Sequence, residues 1–268
     1  MYHQTEKDLV IVKVGTNVLA DTTGDVEQLD KQSFIQIGEE LRKLSDEGVN
    51  IILVSSGAIT AGVLAEKKRR EAIDNVVELQ RYAARGWDGV VQQWKAVMGE
   101  GRVSSALLTK REIHTETMRT KALNVISCCL AHGDIFVVNE NDTISDDEIK
   151  FGDNDTLAAA LAVECAKEAL FRSVKLVLLT NINGLRTDKD DETTLIRKVT
   201  DIAEVEPYAS TAANGHSRGG MITKVRAARV AGQVGVPTYI ADGRVTQAVS
   251  RVVKGEIGTH FVAKDTNK

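Results

Sequence analysis

The chain has 268 residues, 43% of them hydrophobic, enough apolar material to bury one large core or two fused lobes. A formal net charge of -4 and an isoelectric point of about 5.8 argue against a nucleic-acid partner, and no apolar run approaches the roughly 20 residues that span a bilayer. The three cysteines, Cys128, Cys129 and Cys165, are odd in number and lack CxxC spacing, which argues against a disulfide framework or zinc site and suits a reducing, cytoplasmic setting.

Met1 to Asp8 is polar and carries no apolar signal core. Short runs rich in Val, Ile and Leu then recur at Leu9–Val14, Asn50–Val54, Asp134–Val138, Val174–Leu179 and Val236–Ala241. Each is too short for a typical helix and too continuous for a strand with one wet face, so each is predicted as a strand buried on both sides of a parallel sheet. Helical spacing separates them. Gln32–Glu47 carries Phe34, Ile35, Ile37, Leu41 and Leu44 and stops at Gly48; Met118–His132 and Asp155–Ala169 are similar; Met221–Val234 stops at Gly235. The alternation predicts an α/β fold. Lys67-Lys68-Arg69-Arg70 reads as a solvated helix end, and Arg186–Thr200 as an exposed polar hairpin or loop. Only two prolines occur and no flexible linker, so any two lobes must share one sheet.

Five segments carry chemistry. Lys13 ends the first strand beside Gly15; an ammonium within an apolar strand is costly to bury alone, and glycine lets backbone approach a phosphate. Ser55-Ser56-Gly57-Ala58 follows the second strand and opens a helix over Ile59–Ala65, where free N–H groups suit an anion, although this motif taken alone favours a plain serine cap. Asn139-Glu140-Asn141-Asp142 follows the third strand and can read an ammonium or amide group. Lys150 to Asp155 precedes the next helix, with Asp153, Asn154 and Asp155 supplying carboxylates and an amide; a simple cap at Asp155 is the competing reading. Ser217 to Lys224 places Gly219 and Gly220 before a helix with Lys224 in its first turn, a phosphate cradle in logic though not a GxxxxGK[ST] loop. Two lysines together with a carboxylate-rich pocket is the division of labour that phosphoryl transfer needs, because catalysis there is mostly positioning and charge neutralisation. The five histidines are scattered, without metal-ligand spacing.

In order and spacing, VKVGTNVL (12–19), VSSGAITAG (54–62), VNENDTI (138–144), IKFGDNDTLAA (149–159), GGMITK (219–224) and GTHF (258–261) resemble the glutamate 5-kinases of the amino acid kinase family. The resemblance implies a three-layer αβα sandwich around a mainly parallel sheet of about eight strands. It implies one domain over residues 1–268, with a substrate lobe to about 170 and a nucleotide lobe from about 171, and no C-terminal PUA domain. The implied reaction converts ATP and L-glutamate to ADP and L-glutamyl 5-phosphate, the first step of proline biosynthesis, with Mg²⁺ as cofactor. The implied enzyme is cytoplasmic and a homo-oligomer, dimer or tetramer.

Residue by residue, the resemblance implies that Lys13 and Lys224 flank the transferring group and that Asp155 orients them. Ser56, Asp142 and Asn154 would bind glutamate, with Asn139 and Asp153 nearby. The nucleotide would meet Lys13, Gly15, Thr180, Asn181 and the stretch Arg218, Gly219, Gly220, Met221, Ile222, Thr223 and Lys224. The sequence departs from the family at Asn181, at Arg218 and at Arg85-Gly86-Trp87. Two other readings stay open on the residues: a kinase of the same fold acting on a different small acid, and a non-catalytic regulatory homologue.

Overall fold

A computed structural model describes residues 6–21, 28–66, 73, 75–145, 154–211 and 220–264. Its elements in chain order are β1 (Asp8–Val14), α1 (Thr16–Leu19), β2 (Ala20–Asp21), β3 (Gln28–Leu29), α2 (Lys31–Asp46), β4 (Asn50–Ser55), α3 (Ala58–Ala65) and α4 (Val76–Met98). They continue with β5 (Val103–Leu108), α5 (Lys110–His114), α6 (Glu116–Ala131), β6 (Ile135–Glu140), α7 (Asn154–Lys167) and β7 (Ser173–Thr180). The last are β8 (Lys198–Val199), α8 (Ile202–Thr211), α9 (Met221–Gly232), β9 (Thr238–Asp242), α10 (Ala248–Val253) and β10 (Thr259–Phe261).

The main sheet has eight strands in the order β5-β6-β4-β1-β7-β9-β10-β8. Every pairing is parallel except that of β10 with β9. Side chains alternate across a strand, and β1 shows why its run is apolar throughout. Leu9 and Ile11 enter a core formed with α5 to α9, whereas Val10, Val12 and Val14 enter a second core formed with α1, α2, α4 and α10. The same parity sends Lys13 towards α7 and α9. Phe34, Ile37 and Leu41 make the buried stripe of α2, whose start is capped by the Asp30 carboxylate accepting from the Gln32 N–H at 3.0 Å. The sheet and its two helical layers bear out the expected α/β sandwich.

The five strands and four helices expected from the apolar runs are present, with ends shifted by a few residues. Two larger elements go beyond the sequence reading. In β5, Ser104 and Ser105 interrupt the apolar run, because an edge strand needs less cover than a central one. Helix α4 buries Leu79, Tyr82, Ala83, Gly86, Val90, Trp94 and Met98 along one face. Arg186–Thr200 is not simply a loop: a bridge joins Arg186 to Leu195, and Lys198–Val199 pairs with β10. Lys67 to Arg70 lies outside the described residues.

Candidate active site

β1, β4, β6, β7 and β9 run parallel, so their carboxyl ends lie along one edge of the sheet, the edge where ligands gather in open α/β sheets. Asp155, in the first turn of α7, is fully buried. Its Oδ1 lies 2.8 Å from Lys13 Nζ and its Oδ2 lies 3.1 Å from Lys224 Nζ. Both lysines are themselves buried. Burial alone would raise the Asp155 pKa, but Lys13 and Lys224 outweigh it and hold the carboxyl well below the usual carboxylate range. The Thr223 hydroxyl donates to Asp155 Oδ2 at 2.7 Å and lies 2.8 Å from the Gly220 carbonyl. Asp155 is therefore not a simple helix cap. It is the shared anion of two ammonium groups that come from positions 13 and 224 of the chain.

One residue earlier, Asn154 anchors a second network. Its Nδ2 donates to Ser56 Oγ at 3.0 Å and to Asn139 Oδ1 at 2.8 Å, and its Oδ1 accepts from the Glu140 N–H at 3.1 Å. Asn139 Nδ2 in turn donates to Asp142 Oδ2 at 3.2 Å. Ser56, Asn139, Asp142 and Asn154 are all buried. Gly57, at φ +107°, and Ala58 to Thr60 form the opposite wall of a small pocket with Thr16, Asn139, Asp142 and Asn154. Because Gly57 precedes α3 and no side chain caps the helix, the serine-cap reading of Ser56 fails. Asp153, Arg218 and Gly219 lie outside the described residues.

The remaining expected residues lie at the ends of β1 and β7 and at the start of α9. Gly15 donates its N–H to the Leu179 carbonyl at 3.2 Å, which brings the turn after β1 against the end of β7 at Thr180 and Asn181. A Cβ on Gly15 would stand 3.6 Å from Lys13 Nζ, whereas among the described residues nothing lies within 4 Å of one on Gly220. The two glycines thus leave room beside the lysines. Met221 turns its side chain into the core, and Ile222 packs partly buried against the same core.

Supporting residues escaped the sequence reading. Trp94 Nε1 donates to Ser55 Oγ at 2.9 Å, and that hydroxyl lies 3.1 Å from the Ser56 carbonyl. Helices α3 and α4 approach so closely that a Cβ on Gly86 would lie 2.0 Å from the Ala58 carbonyl oxygen. Beside Gly86, Arg85 pairs with Glu66 at 3.2 Å and Trp87 packs half-buried against the α2 and α4 core. The helical stripe around Gly86 was the available signal for α4, but no sequence pattern points from Trp94 to Ser55.

A buried lysine pair on one carboxylate, facing a pocket of amides and a carboxylate at the sheet's carboxyl end, fits a class of enzyme that moves a phosphoryl group between two anions. The sequence description of the amino acid kinase family matches residues 8–242, and the chain belongs to that family, within it to the glutamate 5-kinases. It is 37% identical to the glutamate 5-kinase of Paraburkholderia phytofirmans over 95% of this chain and 68% of that one. It is 32% identical to the glutamate 5-kinase of Psychrobacter arcticus over 97% of this chain and 65% of that one. The chain thus spans about two thirds of the length of these relatives. Among solved structures, carbamate kinase from Giardia lamblia bound to AMP-PNP shares the fold at a TM-score of 0.62 and 18% identity, covering 96% of this chain and 99% of that one. N-acetylglutamate synthase from Neisseria gonorrhoeae does so at 0.60 and 19%, covering 96% and 62%. Among the described residues, no helix is long and apolar enough to cross a membrane.

Proposed function

We propose that this chain transfers the γ-phosphoryl group of ATP to the side-chain carboxylate of L-glutamate, giving ADP and L-glutamyl 5-phosphate, the entry step of proline biosynthesis. The observation that carries this reading is the buried Lys13–Asp155–Lys224 cluster. Two buried ammonium groups gathered on one buried carboxylate concentrate cationic donors at one point of the site. A phosphoryl group in transfer, with negative charge spread over its equatorial oxygens, is the ligand such a site favours.

The acceptor carboxylate is ionised at neutral pH, so no general base is needed. One carboxylate oxygen bonds to phosphorus as the bond from phosphorus to the β–γ bridging oxygen breaks, and the electron pair leaves with ADP. What the protein must overcome is repulsion between two anions. Lys13 approaches from β1 and Lys224 from the first turn of α9, and Asp155 fixes the direction of both. Asn154, adjoining Asp155, ties the acceptor pocket to that centre: Ser56, Asn139, Asp142 and Asn154 hold glutamate, with Asp142 facing its ammonium group. Gly15, Thr180, Asn181 and the residues leading to Lys224 receive the nucleotide.

Mg²⁺ fits this donor set only as a partner of the nucleotide. The Asp155 carboxylate is engaged by two lysines and Thr223, and no group of three or more His, Cys, Asp or Glu capable of holding a metal occurs among the described residues. Bound together with the nucleotide, Mg²⁺ would supply further charge neutralisation. Three free thiols suit a cytoplasmic enzyme.

ADP release measured with L-glutamate, L-aspartate, N-acetylglutamate and carbamate tests the assignment. Turnover should depend on glutamate. ATP-dependent turnover with another acid and none with glutamate would overturn the choice of acceptor, and no turnover with any would overturn the reaction class.

A further inference from the structure

The chain leaving β7 passes directly beside the lysine cluster, and three of its successive carbonyls are engaged. Leu179 accepts from the Gly15 N–H at 3.2 Å and Thr180 from the Gly243 N–H at 2.9 Å. The third, Asn181, lies beyond the sheet and accepts from a side chain: Arg244 Nη2, at 2.6 Å. The same guanidinium grips Asp242 at the end of β9, with Nε 3.0 Å from Oδ1 and Nη2 2.8 Å from Oδ2. Arg244 itself is tethered from α2, because Gln36 Nε2 donates to its carbonyl at 3.2 Å. Gly243 lets the turn seat this closely, since a Cβ there would come within 2.9 Å of Val18 Cγ1 and 3.0 Å of Leu179 Cβ.

Taking Thr180 and Asn181 as part of the nucleotide site, as proposed above, we propose that Arg244 is a positioning residue for that site. Its planar fork extends the β7–β9 pairing one residue past the sheet and so sets where the Asn181 turn stands relative to Lys13 and Gly15. Exposure decides that the role is positional. Arg244 is about half exposed, and an ion pair at such a surface adds little to global stability. Its loss should leave the fold standing while freeing a turn that the nucleotide must find in place. Lysine cannot reproduce the contact, because one ammonium group lacks the geometry to bind the Asp242 carboxylate side-on and the Asn181 carbonyl together.

The test combines calorimetric titration of MgATP with steady-state kinetics on wild type, R244A, R244K and Q36A. For R244A and R244K, the dissociation constant and KM for ATP should rise roughly tenfold. Their KM for glutamate should stay within about twofold and their melting temperature within about 2 °C of wild type. Q36A, which keeps the fork, should show the same direction and a smaller rise. Unchanged ATP affinity in R244A, full recovery in R244K, or equal weakening for both substrates with a large fall in melting temperature would each overturn the proposal. Wild type that binds MgATP but does not turn over glutamate would count against the reaction alone and leave the Arg244 comparison standing. Wild type that does not bind MgATP would overturn both.

Discussion

Replacing Asp155 with asparagine keeps the shape of the side chain and removes the charge that both lysines share. At the observed 2.8 and 3.1 Å, and with an effective dielectric constant of about 20, each attraction is worth roughly 5–6 kcal/mol before desolvation is counted. Desolvating three buried ions takes back much of that gain. The variant, however, removes the carboxylate that both buried ammonium groups share, and breaking a buried pair from one side costs about 3–5 kcal/mol. For a chain of this size the melting temperature should fall by roughly 5–9 °C. Turnover should fall by at least about 100-fold, because neither lysine is held on the transferring group. The sign of the pH dependence follows from the depressed pKa of Asp155. Its contribution is complete above the ordinary carboxylate value of 3.8 and is lost only as pH falls through the lower, folded-state value. The stability gap between wild type and variant should therefore be constant from pH 8 to pH 5 and narrow in strong acid. Thermal unfolding followed by circular dichroism, with ADP release on the same samples, measures both effects. A variant that melts within about 2 °C of wild type, or that turns over within about threefold of it, would refute the reasoning.

Lys224→Ala should lower turnover by roughly 10²–10³ with a smaller loss of stability than Asp155→Asn, because Lys13 and Thr223 still satisfy the buried carboxylate; folded protein with wild-type kcat would reject its role. Gly86→Ala drives a methyl group to 2.0 Å from the Ala58 carbonyl oxygen and 2.4 Å from the Gly62 nitrogen, both backbone atoms, so the helices must separate. That overpacking should cost at least about 1–3 kcal/mol and raise KM for glutamate more than KM for ATP, since Ala58 lines the acceptor pocket. Unchanged stability and unchanged KM values would show that the close crossing of α3 and α4 is dispensable.

Much of this protein is written in its local pattern. Central strands covered on both faces must be apolar along their whole length, so β1, β4, β6, β7 and β9 were visible as short runs of Val, Ile and Leu. Lys13 stood out for the same reason, as a charge where the pattern allows none. The edge strand β5 and the two- and three-residue strands β8 and β10 were hidden, because an edge strand or a brief pairing places little demand on composition. The motif order around Lys13, Ser56, Asn139, Asp155 and Lys224 also brought out the family, since each segment sits at a strand or helix end whose geometry is local.

Tertiary structure alone decided how those segments answer one another. Asp155 could have been an ordinary cap; only folding brings positions 13, 155 and 224 onto one carboxylate. Asn154 could have turned outward, yet it joins Ser56, Asn139 and Glu140. The links from Trp94 to Ser55, Gln36 to Arg244 and Arg244 to Asn181 span 39, 208 and 63 residues. Contacts over such separations leave no periodicity in the chain, because they depend on which helix packs on which face of the sheet and not on neighbouring residues.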